Sequence, residues 1–198
     1  MNYTELYEEV QKLVKRPDLQ STVDSAIKAA TLKAHQSDFF FNDLVESAVQ
    51  FDEARYIQTF NPKEIFPRYR QAKYVRVWEG DRCGDATYFL EHIGIEAALD
   101  MYGYTRTEVF YFSGTNLQIR TKIPLLRCLF GAYVHPTITP TENYSSWIAE
   151  EYPFAIIYEA ARSVFLGIGF TEQSRGMQAL VAEQYAALSL SNVDTLPT

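Results

Sequence analysis

The sequence predicts an α+β fold: a helical bundle formed by the N- and C-terminal helices, with an antiparallel β subdomain inserted between them. Three observations carry this. Residues up to about 38 and from about 144 repeat apolar side chains at three- and four-residue spacing, the period of helices with one buried face. The stretch between them holds aromatic-rich, strand-like runs instead. Two of those runs flank Ser113-Gly114-Thr115-Asn116, a turn suited to a hairpin because glycine accepts positive φ. The expected plan is a single domain: bundle from 1–38 and 144–190, β-rich insertion over about 39–143, and a mobile polar tail over about 189–198.

The first helix is expected from Thr4 to Lys15, with Leu6, Tyr7, Val10, Leu13 and Val14 on one stripe and Thr4 as its cap. Pro17 stops it. A second helix, capped by Asp18, carries Leu19, Val23, Ile27, Ala30 and Ala34 on one face and ends near His35 to Ser37. "YVRVWEG" alternates and reads as a strand, Ala86 to Met101 as a mixed or helical segment, and Val109–Phe112 with Leu117–Arg120 as the hairpin. "LLRCLFGAYVHP" adds another strand, closed by Pro136 and Pro140. Helices return after Tyr144, with Ser145 or Ser146 as cap and Pro153 opening a new helix at its first turn. Gly167 and Gly169 end that helix, and Thr171 caps the last one, in which Met177, Leu180, Val181, Gln184, Tyr185 and Leu188 share a side.

Composition narrows the function. The chain has 198 residues, 47% of them hydrophobic and 22% charged, an ordinary globular balance able to bury a sizeable core. Its net charge is −7, and no Lys/Arg cluster extends beyond short pairs such as Lys15-Arg16, so tight nucleic-acid binding is not expected. Fourteen Tyr and thirteen Phe suit both β-rich cores and contact surfaces. Two cysteines far apart, Cys83 and Cys128, give no disulfide framework. "MNYTELYEEV" has neither the basic region nor the apolar run of a secretory signal, and no membrane span is expected.

No P-loop, strand-following GxGxxG, GxSxG or HExxH occurs. Two constellations remain. Cys83 precedes a possible helix start, and His135 lies downstream with Glu142 and Asn143 as orienting groups, the components of a cysteine hydrolase. His35, Asp38 and Asp43 offer metal or acid–base ligands, and His92 with Glu96 has i, i+4 spacing. Each has a plainer reading: Cys83 as a small residue in a glycine-flanked turn, and His35 as a surface histidine closing a helix near its negative dipole end. The expectation is no catalytic residue, no metal and no cofactor, with "SDFFFNDL" as a junction in which at least one phenylalanine is buried between bundle and sheet.

Three segments carry a resemblance: "AIKAATLKAHQSDFFFNDL", "FYFSGTNLQIRTKIPLLRCLFGAYVHPTITPTENYSSWIAEEYP" and "FAIIYEAARSVFLGIGFTEQSRGMQALVAEQYAAL". In this combination the chain resembles the head-to-tail adaptor (head completion or connector) proteins of tailed bacteriophages. The resemblance implies a non-enzymatic virion protein, made in the host cytoplasm, at the neck between head and tail. It would assemble as a homo-oligomeric ring, commonly of twelve subunits, under the portal protein after DNA packaging. Tail or neck proteins would dock on it, and DNA would pass through its channel without specific binding. By position, Leu188, Leu190, Asn192, Val193 and Leu196 become portal-contact candidates, and Phe110, Phe112, Asn116, Leu117 and Tyr185 subunit or tail contacts. The alternatives are another neck or tail-completion protein, or a cysteine hydrolase using Cys83 and His135. Channel-facing carboxylates would suit such a ring, because they repel DNA and let it slide.

Overall fold

The computed structural model describes residues 1–78, 87–98 and 106–194, with the backbone alone for 192–194. Over these residues the chain is mixed α+β and divides into two compact units. One is helical, from Met1–Asp43 and His135–Thr198; the other is the sheet of Leu44–Val134. The divisions fall inside the expected 38/39 and 143/144 because the turn after the second helix, and the segment after the last long strand, both belong with the helices.

The helical unit holds α1 (Tyr3–Val14), α2 (Gln20–Gln36), α4 (Trp147–Glu151), α5 (Pro153–Gly167) and α6 (Thr171–Asp194). α1 starts one residue earlier than expected. Asn2, not Thr4, is its cap: its side chain accepts from the Glu5 N–H while the Glu5 carboxylate accepts from the Asn2 N–H, a reciprocal capping box. Asp18 does not cap α2. It lies in a single 3-10 turn, Pro17–Leu19, and pairs with Arg16 instead. Leu6, Val10, Val23, Ile27, Ile156, Ile157 and Val164 form the core with small Ala30, Ala34, Ala160 and Ala161, and the alanines let helices approach closely. Pro153 opens α5 as expected. Its other end is a Schellman cap, with Gly169 at φ +80 and bonds from Gly169 N–H to Leu166 and Phe170 N–H to Phe165.

Residues 189–194, expected as part of a mobile tail, continue α6 as helix. Leu188 is fully buried in the helical core, whereas Leu180 lies exposed off the expected stripe.

The sheet unit contains β1 (Leu44–Phe60), the short helix α3 (Pro62–Ile65), β2 (Tyr69–Trp78), β3 (Thr87–Phe89), β4 (Glu91–His92), β5 (Val109–Ser113) and β6 (Asn116–Val134). β6 is its spine. β1 runs antiparallel along one side of β6, while β2 and β5 pair antiparallel with successive stretches of the other side. The hairpin forms as expected, with Ser113 opposite Asn116 and Gly114 at φ +63. The two later strand-like runs are one strand, because Pro124 falls where the β1 ladder is irregular, the position at which a strand tolerates proline. Ala86–Met101 is not a helix over its described part: β3 and β4 lie there, with a 3-10 turn at Ile95–Ala98. Phe110, Leu117, Ile119, Cys128 and Phe130 form the buried core of this unit. Gly131 lies opposite Tyr74, whose ring occupies the space a side chain there would need.

Candidate functional site

The densest polar cluster in the helical unit is built from three chain segments. His35 comes from the last turn of α2, Asp43 from the turn after it, and Ser146 is the cap of α4. His35 Nδ1 lies 2.8 and 3.0 Å from the two Asp43 oxygens, and Nε2 lies 2.8 Å from Ser146 Oγ. Trp147 Nε1 donates to Asp43 Oδ1 at 2.8 Å. A carboxylate only accepts, so Nδ1–H is the donor to Asp43; in that neutral tautomer Nε2 accepts the Ser146 hydroxyl proton. Beside this chain, Thr31 Oγ1 donates to Ile27 O and lies 2.9 Å from the Tyr144 hydroxyl, which burial pushes above its ordinary pKa.

Serine to imidazole to carboxylate is the contact order of an acyl-transfer triad. The environment is that of a core. His35 is 1% exposed, and Asp43 and Ser146 are 4% each. Ser146 Oγ also accepts the Ala149 N–H at 3.2 Å, so it is engaged in capping α4. His35 also meets the Trp147 ring edge-on, with centroids 5.9 Å apart. The arrangement ties α2, the 41–43 turn and α4 together and leaves no open face at which a substrate would meet the hydroxyl.

Sequence spacing thus brought His35 and Asp43 together correctly as neighbours but missed Ser146 and Trp147. His35 is a buried histidine, not the surface one expected. The Asp38 carboxylate accepts the Phe39 N–H. Of the three phenylalanines, Phe40 is buried in the core of the helical unit itself, while Phe39 and Phe41 are exposed.

Cys83 lies outside the described residues, and His135 is partly buried in the helical unit. Cys128 is buried, and burial pushes its thiol up to about 12, which keeps it from acting as a thiolate. His92 stacks on Phe110, with centroids 4.9 Å apart. Among the described residues, no group of three or more His, Cys, Asp or Glu is placed to hold a metal ion. No described helix is long and apolar enough to cross a membrane.

The contact candidates separate by burial. Phe110 and Leu117 are buried in the sheet core and Phe112 packs against it, so only Asn116, at the hairpin turn, is open to a partner. Tyr185 is half-buried on α6, and burial pushes its hydroxyl well above the ordinary tyrosine range. Of the portal candidates, Leu188 is buried and Leu190 exposed. Asn192 and Val193 lie on the last turn of α6, and Leu196 is outside the described residues.

Glu159 on α5 is a further buried charged group. Lys33 from α2 reaches it at 2.7 Å and Arg162, one turn on, at 2.8 Å. Burial opposes its ionisation, but the hydrogen bonds from Arg162 and Lys33 outweigh that and hold the carboxyl below its ordinary value of 4.5. A depressed folded pKa stabilises above the unfolded value and is lost as pH falls through the folded one. Glu159→Gln is therefore expected to cost about 1.5–3 kcal/mol at neutral pH. In urea titrations the gap between the two proteins should close as pH drops below 4.5; a gap that persists in acid would show that charge is not its source.

No known family model matches the chain, and no curated protein matches it.

Proposed function

We propose that this protein is a non-enzymatic virion component, a head-to-tail adaptor that assembles as a ring under the portal after DNA packaging and presents the surface on which the tail docks. The observation that carries the reading is the arrangement of the chain: both ends build one helical unit, and a β-rich unit is inserted between residues 43 and 135. The resemblance of three sequence segments to such adaptors points the same way, and a net charge of −7 per subunit suits a channel along which DNA must slide. The triad-like cluster supports no hydrolase, because its hydroxyl is buried and capping a helix.

Burial revises the portal contact. Leu188 anchors α6 in the core, so the contact falls to exposed Leu190 and the residues that follow it. Deleting residues 190–198 removes exposed Leu190 and keeps buried Leu188 and the part of α6 before it. The shortened protein is expected to keep its helical circular dichroism and to lose portal binding. Sedimentation with and without the cognate portal protein tests both points. A portal-dependent shift to a ring-sized complex supports the adaptor reading, and no shift with intact protein overturns it. Unchanged portal binding by the shortened protein would overturn the tail assignment alone.

A further inference from the structure

Charge is divided unequally between the two units. The helical unit has 14 Asp and Glu against 7 Lys and Arg, and the sheet unit has 11 of each. The whole net charge of −7 therefore lies on the helical unit. Between two copies, helical units repel each other, whereas a cation on the sheet of one is drawn to the helical unit of the other.

The sheet has such a cation. Arg120 of β6 lies between Ile57 of β1 and Val109 of β5. A guanidinium has five N–H donors. One of them reaches Gln118 Oε1, at a long 3.3 Å, and the group lies 5.3 Å from the centre of the Tyr111 ring. Its Nε is buried without a hydrogen-bond partner, and among the described residues no carboxylate pairs with the group. A fork of donors so little used is suited to a carboxylate, which it can hold by two parallel bonds. On the β1 side its neighbour is apolar and open: Ile57 is 46% exposed.

The helical unit has the matching groups. Glu150 and Glu151 end α4, and both are exposed. Among the described residues neither pairs with a cation, whereas Glu9, Asp18, Asp24, Glu159 and Glu172 all do. Three residues on, in the first turn of α5, Phe154 is 46% exposed.

We propose that Arg120 and Ile57 of one copy dock on Glu150, Glu151 and Phe154 of a second copy. The guanidinium takes a carboxylate and the isoleucine covers the aromatic ring. Withdrawal from water strengthens the charged pair, and the apolar contact beside it keeps water out. The contact joins two different surfaces, so each copy keeps one of each for its next neighbour, and the contact can repeat around a ring. The inference rests on the adaptor reading for the place where the ring closes, under the portal, and goes beyond it in naming the subunit contact.

Two measurements test it. In a Cys83→Ser background, Ile57→Cys and Phe154→Cys proteins are concentrated without portal and treated with a short bis-maleimide, separately and mixed. A cross-linked dimer is expected from the mixture and not from either protein alone, because unlike surfaces meet. Sedimentation with the cognate portal protein then compares charge variants. Arg120→Glu and Glu150→Arg/Glu151→Arg should each lose the ring-sized complex, and the protein carrying all three substitutions should regain it, which also shows that the substituted chain folds. Arg120→Glu that assembles like the intact protein, a triple variant that keeps its circular dichroism spectrum but does not assemble, or a mixture that cross-links no better than its components overturns the proposal. If the intact chain forms no ring with portal, the adaptor reading fails, and the portal-free cross-link alone decides the contact.

Discussion

Asp43→Ala is expected to destabilise the helical unit by about 2–6 kcal/mol, the cost of leaving two buried donors without an acceptor. The Asp43 carboxylate accepts from His35 Nδ1 at 2.8 Å and from Trp147 Nε1 at 2.8 Å, and alanine leaves both donors facing a core with no acceptor there. An unsatisfied buried donor forfeits its full desolvation free energy, and here two do so at once. His35→Leu leaves the Trp147 N–H bonded to the carboxylate but strips Asp43 and Ser146 of their imidazole partner, so it too is expected to destabilise the unit. The double variant should be less damaged than the two single effects added together, since residues in one network couple. Urea unfolding followed at the helical circular dichroism band measures all three. Loss of less than about 1 kcal/mol in Asp43→Ala would mean that the cluster is solvated in solution and would reopen the question of chemistry at Ser146.

How far the sequence revealed this site follows from the kind of contact involved. His35 and Asp43 are eight residues apart and joined by one turn, so local reading placed them together. Ser146 and Trp147 lie more than a hundred residues away, and only the packing of α4 against α2 brings them in. Ser146 was legible as a helix cap but not as a histidine partner, because capping is a local property and the second bond is not. The same distinction runs through the fold. α5 and the β5–β6 hairpin were read from periodicity, proline and glycine. β1 carries no clear strand signal: in "LVESAVQFDEARYIQTF" the alternation breaks at the irregular stretch, so neither half reads as a full strand. The polar last turns of α6 predict an early end, yet buried Leu188 holds that end of the helix to the core.

Phe40→Ala should cost about 3–5 kcal/mol, while Phe39→Ala and Phe41→Ala should each stay within about 0.5 kcal/mol of the intact protein. The three residues are chemically identical and adjacent, so the contrast isolates position. Phe40 is 1% exposed and lies edge-on to Trp147, with ring centroids 5.2 Å apart. Aromatic pairs in this geometry add to the stabilisation given by burial alone. Its removal opens a cavity next to the indole whose N–H holds Asp43, and close packing leaves little to fill it. The effect should therefore spread to the His35 cluster: amide exchange at the end of α2 and the start of α4 is expected to accelerate together in Phe40→Ala. Phe40→Leu, which restores most of the volume but not the ring contact, should recover the larger part of the stability. If all three alanine variants cost the same, the burial of Phe40 in the helical core is wrong. If Phe40→Ala loses stability without faster exchange near His35, the ring packs there but does not brace the polar cluster.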